Sequence, residues 1–301
     1  MSKNFNAVGL ISIITAMFIW ASSFIALKSA MTDIGPYTVI FIRMIVASLC
    51  FLYFIKRFLK YKFTKKDIKY IALLGLFEPC LYFLFEAKAL QLTTASQAGM
   101  VASLMPLITA LFAGYLLKEV ISRKMIFGSL LAMIGVIWLS VNATTSITAP
   151  NPLLGNFLEL CAMTCGAGYT IVARYLSQKF DALFITAIQS FIGAVFFLPF
   201  FTYEIFTIDM TFSVEAILWI IYLGIVVTLG GYGLYNYALS KIEASKAAVF
   251  LNLIPVFTMI LAYIILAEEF TRSQLIASIV ILIGVFISQM KPLKYKFKRQ
   301  K

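Results

Sequence analysis

Ten apolar stretches follow one another almost without interruption, at residues 7–30, 36–55, 68–86, 94–117, 124–141, 153–176, 182–203, 215–239, 244–267 and 272–290. A membrane crossing needs about 20 mostly apolar residues. In hydrocarbon every backbone amide must be paired within the protein, so stretches of this kind are helices. Breakers or charges separate them: Gly35-Pro36, Lys56 to Lys69, Thr93-Thr94, Ser122-Arg123, Ala149 to Pro152, Asp181, Asp209 and Lys291-Pro292. Almost no length remains for a soluble domain, and the expectation is an all-α integral membrane protein with ten transmembrane helices. Composition agrees, with 62% hydrophobic and 13% charged residues, where soluble chains run near half and a quarter. The first stretch follows only Met1 to Asn6, shows no small-residue cleavage motif and continues to Ala30. It reads as a retained span, not a cleaved signal.

The charges set an orientation. Lys3, the seven bases between Lys56 and Lys69, Lys118, Arg123, Lys124, Arg174, Lys179, Lys241, Lys246 and the six bases from Lys291 to Lys301 fall on one side of the ten spans. Only Lys28, Lys88 and Arg272 fall on the other, and Arg43 lies inside a span. Basic loops stay cytoplasmic, so the expectation is a multi-pass protein of the cytoplasmic membrane with both termini inside. The loop from Glu204 to Glu215 holds three acids and no base, as an outer loop does. The net charge of +12 is spread over these loops, and nucleic-acid binding, which needs a basic face on a folded domain, is not expected.

The chain repeats itself. Residues 89–139 align without a gap on 238–288, an offset of 149, and sixteen of the 51 positions are identical. Among them are Pro106/Pro255, Glu119/Glu268, Arg123/Arg272 and Gly135/Gly284. At an offset of 146, Gly9 meets Gly155, Ala16-Met17 meets Ala162-Met163 and Lys28 meets Arg174. Two halves follow, 1–146 and 147–301, each of five helices. Five is odd, so the second half enters the membrane inverted. Inverted repeats are a transporter architecture, because halves that exchange conformations give inward-open and outward-open states of similar energy.

These features resemble the drug/metabolite transporter superfamily, in its ten-span EamA-type branch. The resemblance covers essentially the whole chain. It rests on the repeated Pro-x12-Glu at Pro106/Glu119 and Pro255/Glu268, on the glycine-bearing last spans (Gly128, Gly135, Gly284), on "WASSFIALK" from Trp20 to Lys28, and on Pro36 with Arg43. It implies small-metabolite transport, often export, through a central cavity formed by spans one to four and six to nine, with spans five and ten outside it. Two departures stand out. The glycine that the family often places before the repeated Glu is Lys118 in one half and Ala267 in the other. The Trp20 counterpart in the second half is Gly166.

Ionisable groups inside a span cost several kcal/mol and need a reason. Glu78, ten residues into the third span and followed by Pro79, is the foremost candidate for proton or substrate binding; Glu159, Arg43 and its counterpart Gln189 follow. Each has a plain alternative, a group satisfied by a neighbouring helix. Trp20, Ser23, Tyr82, Tyr169, Tyr232, Tyr235 and Asn252 have polar and small neighbours suited to a cavity wall. Lys28, Glu86 and Lys88 read as boundary residues that snorkel. Structural roles are expected for Pro106 and Pro255 as mid-span bends, and for Glu119 and Glu268 as caps of the helix that follows each. The small faces Ala95-x3-Gly99 and Ala244-x3-Ala248 read as packing surfaces.

The expected function is a secondary transporter, an exporter of amino acids or related amphipathic compounds working by alternating access. A lipid-carrier flippase is the nearest alternative and an intramembrane enzyme the remoter one. The chain has no histidine and no P-loop, so catalysis and direct use of ATP are not expected. Cys161-x3-Cys165 lacks partners for a zinc site. No cofactor or metal is expected; the partners are a small-molecule substrate, membrane lipid and protons as coupling ion, with the chain a monomer or homodimer.

Overall fold

The computed structural model describes residues 7–117, 123–241 and 250–290. Along the chain run α1 (Ala7–Ala30), α2 (Pro36–Leu52), a short α3 (Ile55–Phe58), α4 (Lys65–Gly75), α5 (Tyr82–Leu92), α6 (Ala95–Ala102), α7 (Met105–Leu117) and α8 (Arg123–Val141). They are followed by α9 (Pro152–Leu176), α10 (Ala182–Thr207), α11 (Val214–Tyr222), α12 (Gly233–Lys241), α13 (Leu253–Ile265) and α14 (Arg272–Gln289). Two wide π-type segments, Leu76–Leu81 and Leu223–Tyr232, join α4 to α5 and α11 to α12. Among the described residues six helical stretches are long and apolar enough to cross a membrane, from Val8–Ala30 to Val214–Lys241. Pro36–Leu52, Leu253–Ile265 and Arg272–Ser288 are apolar but shorter.

Helix starts follow local chemistry. Thr64 with Asp67, and Thr271 with Gln274, form reciprocal capping boxes on α4 and α14, which pair amides that have no partner inside the helix. Asn151, Asp181 and Ser213 cap α9, α10 and α11 through their side chains. Pro36 and Pro152 open α2 and α9, where a missing amide costs nothing.

The inter-helix loops meet in two groups. In one, Arg57 pairs with Asp181 at 2.7 Å and Lys179 pairs with Asp67. In the other, Thr211 N donates to the Asp33 carbonyl at 3.0 Å, and Lys28 Nζ donates to the carbonyls of Leu90, Thr93 and Thr148. The bundle between them packs α2 on α10 and α8 on α14 most extensively; α1 lies against α12 and α13, and α9 against α5 and α7. Both large pairs are antiparallel. Tyr37 stacks on Phe197 and Phe41 on Phe201, while Met44 packs on Gly193. Gly128 faces Gly284 and Ser288, Gly135 faces Ala277 and Ile281, and Trp138 Nε1 donates to Ser273 Oγ at 3.1 Å. The outward faces of this last pair are apolar, with Phe127, Leu130, Ile134, Ile276, Ile279, Ile283 and Phe286 all exposed.

Close backbone approach sets the α8–α14 seam. A Cβ at Gly284 would stand 2.4 Å from Ala132 N and 2.7 Å from the Gly128 carbonyl oxygen, backbone atoms that cannot turn away. Ala267 is the opposite case: it ends α13 with φ at 51°, a left-handed turn that costs a residue bearing Cβ roughly 1–2 kcal/mol and that glycine enters freely. Gly284→Ala is therefore expected to destabilise the protein by about 1–3 kcal/mol through overpacking, and Ala267→Gly to stabilise it by about 1 kcal/mol or less, once the extra freedom of unfolded glycine is subtracted. Thermal unfolding in one detergent checks both. An unchanged midpoint for Gly284→Ala would contradict the seam.

Candidate functional site

Pro79 creates the centre of the molecule. Proline disfavours helical geometry in the residue before it, and Glu78 is extended, at φ −151° and ψ 119°, between helical neighbours and ahead of a cis peptide. The carbonyl of Glu78, left outside the helix ladder, accepts a hydrogen bond from Gln189 Nε2 at 3.4 Å. Carrying the repeat offset of 149 back to Glu78 and Pro79 reaches Val227 and Thr228, in the middle of the second wide segment. There Thr228 Oγ1 donates to the Leu223 carbonyl, five residues back, at 2.9 Å. An interrupted helix and a wide helical segment thus turn side chains toward one another, with the Tyr232 hydroxyl on Glu78, as π-type turns at functional sites do.

Between them lies a cavity of about 30 Å³. Trp20 and Ser23 of α1, Arg43 of α2, Glu78, Tyr82, Phe83 and Glu86 line one side, and Ala102, Met105, Met163, Tyr232 and Ile254 the rest, together with Phe24. Arg43 is 1% exposed and Glu78 3%. Arg43 Nε donates to Thr228 Oγ1 at 2.8 Å, and its guanidinium carbon stands 4.5 Å from the centre of the Phe83 ring. The hydroxyl of Tyr232 donates to Glu78 Oε1, and that of Tyr82 to Glu86 Oε1 at 2.9 Å. Trp20 packs 4.9 Å from Tyr232 and 4.6 Å from Tyr235, with its indole nitrogen buried and unbonded. Opposite charges share this cavity without meeting: the two ion pairs among the described residues are those of the loops. The terminal nitrogens of Arg43 make no hydrogen bond to a described residue.

A second polar network lies beside the cavity. Tyr169 donates to Asn236 Oδ1 at 2.8 Å, and Asn236 Nδ2 donates to Thr186 Oγ1 at 3.0 Å, with Gln189 at the edge of the same cluster. Tyr235 lies 3.3 Å from Thr170 Oγ1, hydroxyl to hydroxyl. Tyr169, Tyr235 and Gln189 therefore brace the wall of the cavity from behind. Asn252 lies ahead of α13, its buried Oδ1 unbonded, and is not a lining residue. Glu159 is fully buried on α9 with neither oxygen bonded. No group of three potential metal ligands occurs among the described residues.

Several expectations are corrected. Glu86 does not snorkel; it is 3% exposed and lines the cavity. Its spacing of four from Tyr82 and eight from Glu78 was the available signal, since residues four apart share a helix face. Lys28 does not reach for an interface either; it binds carbonyls at the ends of α5 and of the 142–151 loop. Pro106 and Pro255 lie within their apolar stretches, next to turns at residues 103–104 and 251–252. Each sits in the first turn of the helical part that resumes, α7 or α13, where proline needs no amide. Glu268 does not cap the helix that follows it, which Thr271 and Gln274 already cap. Its carboxylate accepts from Ala95 N at 2.9 Å and from Ser96 N at 3.1 Å, and from the Ser96 hydroxyl, so it caps α6 instead. Gly99 of that helix packs on Thr258. Glu119 and the Ala244-x3-Ala248 face lie outside the described residues. Missed altogether were Thr228 and Glu204, whose carboxylate caps α2 through Thr38 N at 2.7 Å and Thr38 Oγ1 at 2.8 Å.

Residues 7–141 and 153–290 each match the EamA-like transporter family. An uncharacterized transporter of Bacillus subtilis, YcxC, is 30% identical over 99% of this chain and 98% of its own. Another, YetK, is 29% identical over 93% and 86%. The WAT1-related protein At3g02690 of Arabidopsis thaliana, labelled chloroplastic, is 27% identical over 91% of this chain and 68% of its own. A solved crystal structure 17% identical superposes with a TM-score of 0.65 over 94% of this chain and 97% of that one, a likeness of fold. The chain belongs to the EamA-like transporter family, within the drug/metabolite transporter superfamily, and is a multi-pass membrane protein.

The cap on α6 is directly testable. Glu268→Ala leaves the Ala95 and Ser96 amides without a partner, and an unpaired buried donor costs about 1–3 kcal/mol. The unfolding midpoint should fall, and Glu268→Gln, which keeps an acceptor oxygen, should recover part of the loss. Equal midpoints for wild type and Glu268→Ala would remove the cap from the account.

Proposed function

We propose that the protein is a secondary transporter of small zwitterionic or amine-bearing metabolites, amino acids foremost, moved across the cytoplasmic membrane by alternating access. One observation carries the substrate class: Arg43 and Glu78 sit buried in one cavity, unpaired with each other, each held by a residue of the second wide segment. An α-carboxylate suits the free edge of a guanidinium, which binds carboxylates in two-pronged fashion. An ammonium suits Glu78, and Trp20, Phe83 and Tyr232 supply apolar walls. Export is the direction the family resemblance favours. The protein works without a cofactor or a catalytic step.

Ten spans in two inverted halves, 1–146 and 147–301, are the architecture of this reading. The family match falls separately on residues 7–141 and 153–290. Repeat-related contacts recur: Lys28 binds the Leu90 carbonyl, and its counterpart Arg174 binds the Leu239 carbonyl, the counterpart of Leu90. The antiparallel pairs α2 with α10 and α8 with α14 join equivalent spans of the two halves. Wide π-type segments fall at matching places in both halves, and such segments are frequent at functional sites. A cavity of about 30 Å³ is far below the roughly 300–1,000 Å³ of a small-molecule site. This conformation is accordingly a closed one, and the halves must part to admit a solute.

The test is counterflow into proteoliposomes loaded in turn with each of a panel of amino acids and amines. Glu78→Gln keeps shape and loses charge; affinity for the transported solute should fall about 10-fold for each 1.4 kcal/mol of interaction lost. Arg43→Lys, which cannot offer two parallel donors, should weaken carboxylate-bearing solutes and spare plain amines. Wild-type affinities in both variants would defeat the assignment.

A further inference from the structure

We propose that Glu86 and Glu159 form a proton-binding pair beside the cavity, distinct from Glu78 and able to carry the coupling ion of the transport proposed above. Its role in transport rests on that reading; the proton binding itself does not.

The two residues stand at one depth. Glu86 is six residues from the end of α5 at Leu92, and Glu159 seven from the start of α9 at Pro152. At 1.5 Å per residue both lie about 10 Å inside the same rim of the bundle, on helices packed against each other. Glu86 is the charged group that acts on Glu159, and Tyr82 lies within electrostatic reach of both. Glu159 is 0% exposed, and neither of its oxygens has a hydrogen-bond partner. A buried carboxylate left so bare is too costly to persist.

The neighbours bring one cation, Arg43, and it is shared with Glu78. From α2 comes Arg43, from the first wide segment Glu78, from α5 Tyr82 and from the second wide segment Tyr232. The described residues of α6 and α7 bring no charged side chain, and α9 has no base before Arg174. Glu78 and Glu86 therefore share one guanidinium, with which neither forms an ion pair, and the charged neighbour of Glu159 is Glu86. Two carboxyls close together in a medium of low polarity cannot both ionise. One proton held between them gives Glu159 the partner it lacks and leaves Glu86 accepting from Tyr82.

A polar seam links the pair to the rim. Asn156, one turn from Glu159, accepts from Thr93 Oγ1 at 2.8 Å and donates to Gln97 Oε1 and Ser140 Oγ, both at 2.9 Å. The Thr93 carbonyl in turn holds Lys28, which also binds the Thr148 carbonyl at the surface. Toward the interior, Glu86 opens on the cavity shared with Glu78. A proton enters from water at the Lys28 end, adds to one carboxylate oxygen of the pair and leaves again as a proton; no other bond forms or breaks.

Infrared spectroscopy of the purified protein in lipid, with glutamate carboxyls isotope-labelled, reads the proton directly. At neutral pH the wild type should show the carbonyl band of a protonated glutamic acid, and the band should disappear on alkaline titration. Glu159→Gln should remove one protonated carboxyl per chain from it, Glu86→Gln should shift the frequency and titration of that component without removing it, and Glu78→Gln should leave that component in place. Absence of the band from the wild type overturns the proposal whether or not any variant folds. Persistence of that component in Glu159→Gln, or its loss in Glu78→Gln, overturns it too. Failure of the wild type to transport any tested amino acid would count against the transport reading and leave the band, and the pair, standing.

Discussion

A lipid interior leaves no backbone or charged group unpaired without penalty, and the structure follows from how that demand is met where a helix is interrupted. Pro79 puts Glu78 outside the helix ladder, and Gln189 from another helix takes up the freed carbonyl. The second wide segment is held from within by Thr228, whose hydroxyl also receives Arg43. The two segments are tied to each other through side chains, Tyr232 to Glu78. Around that tie an arginine, three glutamates and a tryptophan gather toward the middle of an otherwise apolar bundle.

The helix ends obey the same demand at the rims. Glu268 caps α6 and Glu204 caps α2, each reaching across from a distant part of the chain. Gly35 leaves room for the Glu204 carboxylate, since a Cβ there would lie 2.5 Å from its oxygen. Lys28 and Arg174 serve carbonyl ends in the complementary way. These are charge-assisted bonds to helix termini, favourable both for the hydrogen bond and for the helix dipole. Glu268 and Glu204 thereby join distant parts of the chain at the rims.

Much of this was legible in the residues. Apolar length, caps and breakers located the helices, and Pro79 announced the break at Glu78. Packing hid the rest. Glu268 reads as a cap in sequence, but only three dimensions show that its helix is α6, because a neighbouring capping box has already satisfied α14. Glu86 lies near the end of an apolar run and looks like a boundary charge until α9 covers it. Pro106 and Pro255 sit mid-run, and the helix is disturbed just before each, with the proline in the opening turn of the part that resumes. Gly166, opposite Trp20 in the repeat, has the Met105 and Tyr82 side chains against it, so the two sides of the cavity differ in a way the alignment alone does not explain.

The central claim is that the cavity between Arg43 and Glu78 opens to one side of the membrane at a time. Sided labelling of a single cysteine tests it most directly. Cys50, Cys80, Cys161 and Cys165 are replaced, Ser23 on the cavity wall is changed to cysteine, and a membrane-impermeant thiol reagent is applied to right-side-out and to inside-out vesicles. The account predicts that Ser23→Cys reacts from both sides and that a saturating transported solute slows both reactions. Reaction from one side alone, or from neither, would contradict alternating access at this cavity.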